Sequence, residues 1–327
     1  MIVTRTPFRI SFFGGGTDYP EYFERHGGAV LATAIDKSLF LSVTRFYSEL
    51  FDYSIRFAYS KVECAKTLDD IEHVPFREIL RHQGITRDTE VSIAAELPSF
   101  SGTGSSSSFV VGLLNTLAAY QGKFVRPMDL AYQAIDIERN ILHERVGCQD
   151  QVLAAMGGFS LVEFRRVDDI VVHRLSLVAE DIRDLERHLL LVFTGLRRRA
   201  SEHAAKQIAR IDLNVDRLGR MRAMVDDAYE SLVGARSPEQ FGQLLGKSWQ
   251  IKRELEGTIS NDVIDRMYQS AIDAGAWGGK LLGAGGGGFL LFVVPPEKRS
   301  FVLTSLNGQQ EIPIRIDAAG SQVIFAS

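Results

Sequence analysis

Two loops rich in glycine and serine, one in each half of the chain, constrain the fold more than any other feature of the sequence. The first runs from Pro98 to Ser108, reads PSFSGTGSSSS, and precedes an apolar run of helical length at 109–120. The second runs from Lys280 to Gly288, reads KLLGAGGGG, and precedes a strand-like run at 289–294. A glycine-rich loop lets backbone N–H groups approach an anion, and a helix that begins there adds the positive end of its dipole. Both loops are therefore candidate phosphate sites. The four serines at 105–108 add hydroxyls that can bind phosphate or Mg²⁺, so the sequence predicts an enzyme that binds a nucleoside triphosphate.

The second loop does not fit two better-known phosphate motifs. It matches G-x-G-x-x-G through Gly283, Gly285 and Gly288, but a dinucleotide site needs a helix after the loop and this sequence continues as a strand. A P-loop is excluded because Lys280 is followed by leucine instead of serine or threonine. A plain β-turn is the remaining alternative, although a turn needs only one or two glycines.

The composition is that of an ordinary soluble protein and excludes several function classes. The chain has 327 residues, enough for two domains, and is 45% hydrophobic and 24% charged. A net charge of −4 offers no broad basic surface for nucleic acid. Cys64 and Cys148 are the only cysteines, which argues against a disulfide framework or a cysteine-based zinc site. With no signal-peptide pattern and no apolar run of membrane-spanning length, we expect a cytoplasmic protein with no membrane partner.

The order of apolar segments predicts an α+β protein of two domains with a boundary near residue 185. Residues 51–90 show no clear pattern. The periodicity elsewhere predicts strands at 3–13, 29–46 (with a break at 36–37), 91–95 and 188–193, helices at 105–121, 128–145, 200–233, 238–256 and 261–274, a hairpin at 159–177, a strand–loop–strand unit at 279–294, and short segments near 312–316 and 322–326.

Several polar residues have two interpretations that the sequence leaves open. Asp150 lies just past Gly147, where it could cap a helix or point into a cleft. The run 197–199 is three arginines, which could form a charged helical turn or bind an anion. Lys280 could contact phosphate or be exposed. Five histidines have no metal-ligand spacing, and we expect them at the surface: His26, His73, His82, His188 and His203.

Three motifs together resemble those of the GHMP small-molecule kinases, the family of galactokinase and of homoserine, mevalonate and phosphomevalonate kinases. The first motif is the segment 7–19, PFRISFFGGGTDY; the second begins at Pro98 and the third at Lys280. The resemblance covers the whole chain. It implies a two-domain fold, with an N-terminal domain (1–185) like the second domain of ribosomal protein S5, a ferredoxin-like C-terminal domain (186–327), and an active site between them.

The resemblance also implies a role for individual residues. Asp150 matches the base that accepts the proton of the attacking hydroxyl, and Arg9 matches the arginine that pairs with it. Ser106 and Glu138 match the positions that hold Mg²⁺. The ATP phosphates would lie against Gly102, Thr103, Gly104, Ser105, Ser106 and Ser107. The substrate would lie against Gly15, Gly16, Thr17, Asp18, Arg198, Gly285 and Gly286.

Within the family, the opening segment 7–20 is most similar to bacterial D-glycero-D-manno-heptose 7-phosphate kinases. Galactokinases carry Glu and His where this chain has Gly15 and Gly16. The two glycines remove bulk and a negative charge, as a longer, phosphorylated sugar requires. The candidates to bind the substrate phosphate are Arg198 with its neighbours Arg197 and Arg199, Arg25 and Lys37.

The resemblance therefore implies ATP-dependent phosphorylation of the C1 hydroxyl of heptose 7-phosphate to the 1,7-bisphosphate, a step toward nucleotide-activated heptose for bacterial surface polysaccharide. Among enzymes, the alternatives are a kinase of an unphosphorylated sugar such as fucose or galactose, and then a mevalonate-type kinase. A non-catalytic sugar sensor on the same fold is an alternative from another class. The sensor would be indicated by loss of Asp150, Glu138 or the serine loop, and all are present. Whether the chain is a monomer or a homodimer stays open.

Overall fold

The computed structural model describes residues 1–99, 101–196, 200–317 and 319–327. Its larger sheet is built on a long antiparallel pair, β1 (Ile2–Phe13) and β2 (Gly28–Arg45). The sheet order is β11–β1–β2–β5–β3–β4, and a hairpin of β6 and β7 joins the first half of β2. The remaining strands of this sheet are β3 (Ile55–Ala58), β4 (Val62–Ala65), β5 (Thr89–Ala95), β6 (Phe159–Arg166), β7 (Asp169–Arg174) and β11 (Gln322–Ala326).

The strand predictions for the first half are largely confirmed. The 159–177 hairpin and the strands at 3–13 and 91–95 are present. Strand β2 continues through the predicted break at 36–37. The β1–β2 register nevertheless shifts at this point, because Pro7 pairs with Ser38 and Arg9 pairs with Ala34, so residues 35–37 of β2 lie opposite a single residue of β1. The irregularity therefore falls on β2 where the polar break was predicted, as a bulge inside a continuous strand.

One helix occupies the centre of the first half. Helix α3 (Ser105–Tyr120) begins directly after the serine loop and is buried on most of its surface, as an apolar run of this length predicts. It packs against β1, β2 and two neighbouring helices, α4 and α5. The helices of this half are α1 (Pro20–His26), α2 (Val74–His82), α3, α4 (Pro127–Asp136) and α5 (Gln149–Met156).

The second helix predicted in this half ends earlier than the sequence pattern suggests. Helix α4 passes into a π-helical turn, Ile137–Ile141, and the helical conformation stops there instead of reaching residue 145. His143 then adopts a positive φ of 55°. A π-helical turn inserts a residue into the helical repeat and is common at functional sites. This one carries Glu138.

The second half places helices against a small antiparallel sheet of order β8–β10–β9. The predicted helix at 200–233 is two helices in the structure. Asn214 lies between them, and its side-chain amide donates hydrogen bonds to the carbonyl oxygens of Arg210 and Leu255. The elements are α6 (Ala179–His188), β8 (Leu189–Phe193), α7 (Ala200–Ile208), α8 (Val215–Val233), α9 (Pro238–Arg253), α10 (Asp262–Asp273), β9 (Gly278–Leu281), β10 (Phe289–Val293) and α11 (Arg299–Ser305).

The two halves of the chain contact each other at several places, in addition to the covalent connection between them. Helices α8 and α9 pack against β1, and the last strand, β11, pairs with β1 of the larger sheet. The division into 1–185 and 186–327 therefore stays a prediction, with the end of the chain returning to the first sheet. No helix in the described ranges is long and apolar enough to cross a membrane.

Candidate active site

A cleft with a volume of about 750 Å³ lies between the two halves of the chain. Residues from all three motifs line it, although the motifs are far apart in sequence. The first motif contributes Arg9, Ser11, Gly15, Gly16 and Asp18; the second contributes Gly102, Gly104, Ser105, Ser106 and Ser107; the third contributes Lys280, Gly283 and Ala284.

The two glycine-rich loops pack directly against each other at the floor of this cleft. A Cβ on Gly102 would lie 2.5 Å from the carbonyl oxygen of Leu282, and a Cβ on Gly283 would lie 2.6 Å from the Cα of Gly102. The N–H of Phe289 also donates to the carbonyl of Ser101 at 3.2 Å. Several glycines of the third motif are therefore needed for close contact between backbones.

Two glycines of the third motif that were predicted to contact the substrate pack against other parts of the protein. A Cβ on Gly285 would lie 2.8 Å from the Cα of Ile259, and one on Gly286 would lie 2.3 Å from Nε2 of His203. Both face neighbouring chain segments, and neither lines the cleft as the structure describes it. Gly283 and Ala284 are the residues of this loop that do.

Arg9 and Asp150 form a bidentate ion pair at the centre of the cleft. Nε of Arg9 lies 2.7 Å from Oδ1 of Asp150, and Nη2 lies 2.6 Å from Oδ2. The third guanidinium nitrogen, Nη1, donates to the carbonyl of Gly102 at 2.6 Å. Asp150 lies in the first turn of α5, and a quarter of its side chain remains exposed to the cleft. Of the two roles left open for Asp150, the structure favours the cleft-facing one.

Glu138 is buried beside Ser106 and Ser107 of the serine loop, does not itself line the described cleft, and is surrounded by neutral donors. The hydroxyl of Ser107 lies 2.8 Å from its Oε2, the hydroxyl of Ser106 lies 3.3 Å from its Oε1, and the amide of Gln151 also donates to Oε2. Burial raises the pKa of Glu138 to about 7. No lysine or arginine in the described ranges forms an ion pair with it.

Asp18 is buried in the loop of the first motif, and both of its carboxylate oxygens accept hydrogen bonds. Its Oδ1 accepts from the N–H of Gly16 at 2.9 Å, and its Oδ2 accepts from Nε2 of Gln149 at 2.9 Å. A Cβ on Gly147 would lie only 1.9 Å from Oδ2, so Gly147 is required for this approach. Burial, reinforced by the charge of Asp150, raises the pKa of Asp18.

Two threonines expected in the site have other roles. The hydroxyl of Thr17 donates to the carbonyls of Gly14 and Ala29 and accepts from the N–H of Ala29, so it stabilises the first loop. Thr103 is buried, and its hydroxyl lies 3.1 Å from that of Ser101. Neither threonine lines the cleft as described, and their contact with a ligand stays a prediction.

Two buried lysines line the cleft, and the sequence interpretation did not assign either to the site. Nζ of Lys280 donates to the carbonyls of Ser11 and Phe12, each at 2.8 Å, so the alternative of an exposed lysine is wrong. Nζ of Lys252, on α9, donates to the carbonyl of Gly283 at 2.6 Å. Burial lowers the pKa of Lys252 to about 8 and lowers that of Lys280 well below its usual value.

One part of the cleft is lined by aromatic and apolar side chains, and two of these residues come from the region that showed no sequence pattern. Tyr59, His73, Leu97 and Phe109 line it beside the serine loop. His73 is half-buried, caps α2 by accepting from the N–H of Phe76 at 3.2 Å, and packs its ring edge against Phe109. The expectation that His73 is a surface residue is therefore wrong.

Five basic residues were predicted as candidates to bind a substrate phosphate. Arg197, Arg198 and Arg199 lie outside the described residues. Arg25 pairs with Asp212 at 2.7 Å and Lys37 lies 3.4 Å from Asp36. Neither Arg25 nor Lys37 lines the cleft as described.

Comparison with known proteins agrees with this arrangement. The model of the GHMP kinases N-terminal domain matches residues 60–158, and the model of the GHMP kinases C-terminal domain matches residues 228–310. The chain is 31% identical over 322 residues to D-glycero-alpha-D-manno-heptose 7-phosphate kinase of Campylobacter jejuni, covering 94% of each sequence. It is 26% identical to an L-fucokinase/L-fucose-1-P guanylyltransferase of Bacteroides fragilis, covering 88% of this chain and 34% of that protein.

A solved structure shows the same fold over the full length. The crystal structure of a D-glycero-D-manno-heptose 1-phosphate kinase from Bacteroides thetaiotaomicron superposes with a TM-score of 0.81 at 22% identity and covers 100% of both chains. The family models, the full-length relative and the assembled cleft agree. The chain belongs to the GHMP kinase family, and it is a phosphotransferase that acts on a sugar hydroxyl.

Proposed function

We propose that this protein transfers the γ-phosphoryl group of ATP to the C1 hydroxyl of D-glycero-D-manno-heptose 7-phosphate and forms the 1,7-bisphosphate. The observation that carries the proposal is the position of the Arg9–Asp150 pair. It lies between the serine loop, where Arg9 also binds Gly102, and the loop of Gly16 and Asp18. A nucleotide on one side and a sugar on the other would meet at this pair.

Asp150 is the proposed base. Its carboxylate accepts the proton of the C1 hydroxyl while the sugar oxygen forms a bond to the γ-phosphorus and the bond from that phosphorus to the β–γ bridging oxygen breaks, releasing ADP. Arg9 orients the carboxylate through two hydrogen bonds and brings positive charge to the transferring group. Because phosphoryl transfer depends mainly on positioning and charge stabilisation, this pair supplies the main protein contribution.

The residues around Glu138 fit a magnesium ion. A buried carboxylate with two serine hydroxyls provides hard oxygen ligands, and Mg²⁺ usually takes one or two carboxylates together with substrate phosphates. Among the described residues, Glu138 has no cationic partner, so its charge is uncompensated when it ionises. Ser106 and Glu138 would hold the ion, which supplies charge neutralisation at the nucleotide phosphates.

The sugar is proposed to lie against Gly15, Gly16 and Asp18. A Cβ on Gly15 would meet the Oγ of Ser11 at 3.6 Å and Nε2 of Gln149 at 3.8 Å, so a glycine leaves real space here. Asp18 can accept hydrogen bonds from sugar hydroxyls. The relative from Campylobacter jejuni, named for heptose 7-phosphate, supports the phosphorylated sugar as substrate.

A screen of ATP consumption tests the proposal. Heptose 7-phosphate, free heptose, fucose, galactose and mannose are each offered with ATP and Mg²⁺, and the position of phosphorylation is read by NMR of the product. We expect the highest kcat/KM for heptose 7-phosphate with a new phosphate on C1. The likeness to a fucokinase favours an unphosphorylated sugar as the second candidate. Equal or better use of fucose than of heptose 7-phosphate would establish that candidate and refute the heptose assignment.

A further inference from the structure

We propose that Lys252 is the residue that binds the anionic substituent of the sugar substrate, and that it sets the preference for a phosphorylated sugar. This inference rests on the proposed function and names the group that recognises the substrate phosphate. Three observations carry it: the cations that line the cleft, the surroundings of Nζ, and unpartnered polar atoms in the same space.

The first observation is that the other cations lining the described cleft are already engaged or lie at its rim. All three guanidinium nitrogens of Arg9 bind Asp150 or Gly102. Lys280 donates to two carbonyls of β1. Arg145 keeps 62% of its side chain exposed. Lys252 is buried, and its single hydrogen-bond partner among the described residues is the carbonyl of Gly283. An ammonium group has three N–H donors, so Lys252 keeps capacity for a ligand.

The second observation is where Lys252 lies. Of the ionised groups nearby, Asp18 exerts the largest charge effect on it, followed by Arg9 and Asp150. Leu255, one turn beyond Lys252, would lie 4.0 Å from a Cβ on Gly16. Lys252 therefore approaches the sugar loop from the second half of the chain.

The charged groups around Lys252 are not balanced in the free protein, which favours binding of an anion. Arg9 and Asp150 form a pair of their own. Lys252 and Lys280 then face Asp18 as the nearest remaining carboxylate, which leaves an excess of positive charge when both lysines are protonated. A buried cation without a full counter-charge is costly, and a phosphate would relieve that cost. Burial lowers the pKa of Lys252 to about 8, as expected for a group whose charge is not fully compensated in the free protein.

The third observation is that polar atoms beside Gly15 lack partners. Oγ of Ser11 and Oε1 of Gln149 are buried without a hydrogen bond among the described residues. Both residues line the cleft, and Gly15 leaves space next to them. Buried polar atoms are normally satisfied, so these two point to a polar ligand. A sugar hydroxyl can donate to the amide oxygen of Gln149, and the serine hydroxyl can donate to a phosphate oxygen.

The test compares Lys252→Gln with wild type on heptose 7-phosphate and on free heptose. Gln removes the charge and keeps an N–H donor for the carbonyl of Gly283. We expect kcat/KM for heptose 7-phosphate to fall by about tenfold to a hundredfold, mainly through KM, because a hydrogen bond to a charged group is lost. The value for free heptose should change by less than about threefold. Lys252→Arg should recover part of the preference. Lys247→Gln, an exposed lysine on the same helix, is the matched control and should behave as wild type.

The outcomes separate this inference from the proposed function. A wild-type enzyme that uses both sugars equally refutes the proposed function and this inference with it. A wild-type enzyme that prefers heptose 7-phosphate, with the preference kept in Lys252→Gln, refutes only the inference, and loss of the preference in Arg198→Gln would then assign it to that arginine. Equal losses on both sugars would show a general structural role. If Lys252→Gln does not fold, Lys252→Met is measured by the same ratio of the two kcat/KM values.

Discussion

Gly104 provides a sharp test of how the serine loop positions the Arg9–Asp150 pair. It precedes α3 with φ of 77° and ψ of 21°, a left-handed conformation that glycine adopts without strain. A Cβ at this position would lie 3.1 Å from Cγ of Arg9 and 3.4 Å from both Nε of Arg9 and Oδ2 of Asp150. Gly104→Ala should therefore displace the Arg9–Asp150 pair as well as strain the backbone.

Displacement of the Arg9–Asp150 pair should lower kcat, and backbone strain should lower Tm. Carbon atoms pack at about 3.5–4.0 Å, so Arg9 must move by roughly 0.5 Å to accommodate the methyl group. A misplacement of about 1 Å in an active site can cost 10²-fold in rate, so we expect kcat to fall by about tenfold. The left-handed conformation itself costs alanine about 1–2 kcal/mol, or roughly 2–3 °C in Tm for a chain of this length.

Gly122 is the matched control, because it lies just beyond the other end of the same helix. Its φ is 71°, and a Cβ there would meet nothing within 4 Å. Gly122→Ala should lower Tm through backbone strain alone, by no more than Gly104→Ala does, and should leave kcat unchanged. The assay is a steady-state kinetic comparison with a thermal melt of each variant. If Gly104→Ala keeps the wild-type kcat, contact with Gly104 does not fix the position of Arg9 and Asp150.

Three further predictions concern the base, the metal and the sugar. Asp150→Asn should retain nucleotide binding, measured by calorimetry, while kcat falls by about 10²–10⁴-fold; wild-type turnover would remove Asp150 from the mechanism. Ser106→Ala and Glu138→Gln should each raise the Mg²⁺ concentration needed for half-maximal rate, and the double variant should be little worse than the worse single one; additive losses with unchanged Mg²⁺ dependence would argue against a shared site. Gly15→Glu should weaken use of heptose 7-phosphate far more than Gly15→Gln, because both add the same bulk and only Glu repels the phosphate; the same kcat/KM for both variants would exclude the charge effect.

Much of the first half could be predicted because its elements have strong local signals. The strand at 3–13, the helix after the serine loop and the 159–177 hairpin are each marked by an apolar period or by a glycine boundary. Helices α9 and α10 were expected within a few residues of their ends. The family could also be predicted, because the three motifs and their order can be read directly from the sequence.

The errors occur where contacts distant in sequence decide the structure. The separation of α7 from α8 depends on a distant contact, because Asn214, which lies between the two helices, donates to the carbonyl of Leu255. The aromatic part of the cleft was missed for the same reason, since Tyr59 follows β3, whose parallel partner β5 lies far along the chain. The role of Gly147 depends on the close approach of Asp18, which the sequence does not reveal.

Lys252 differs from these cases, because its sequence position does carry a signal. The buried side of α9 includes Phe241, Leu245 and Trp249, at the spacing of an amphipathic helix, and Lys252 follows on that same side. A lysine in an apolar stripe is buried or bends its amine to the surface; here it is buried, at a free-energy cost that packing alone does not offset. The position is therefore best explained by a ligand that arrives with negative charge. A charged residue on the apolar side of α9 is thus proposed to select a phosphorylated sugar. The Lys252→Gln variant tests that proposal.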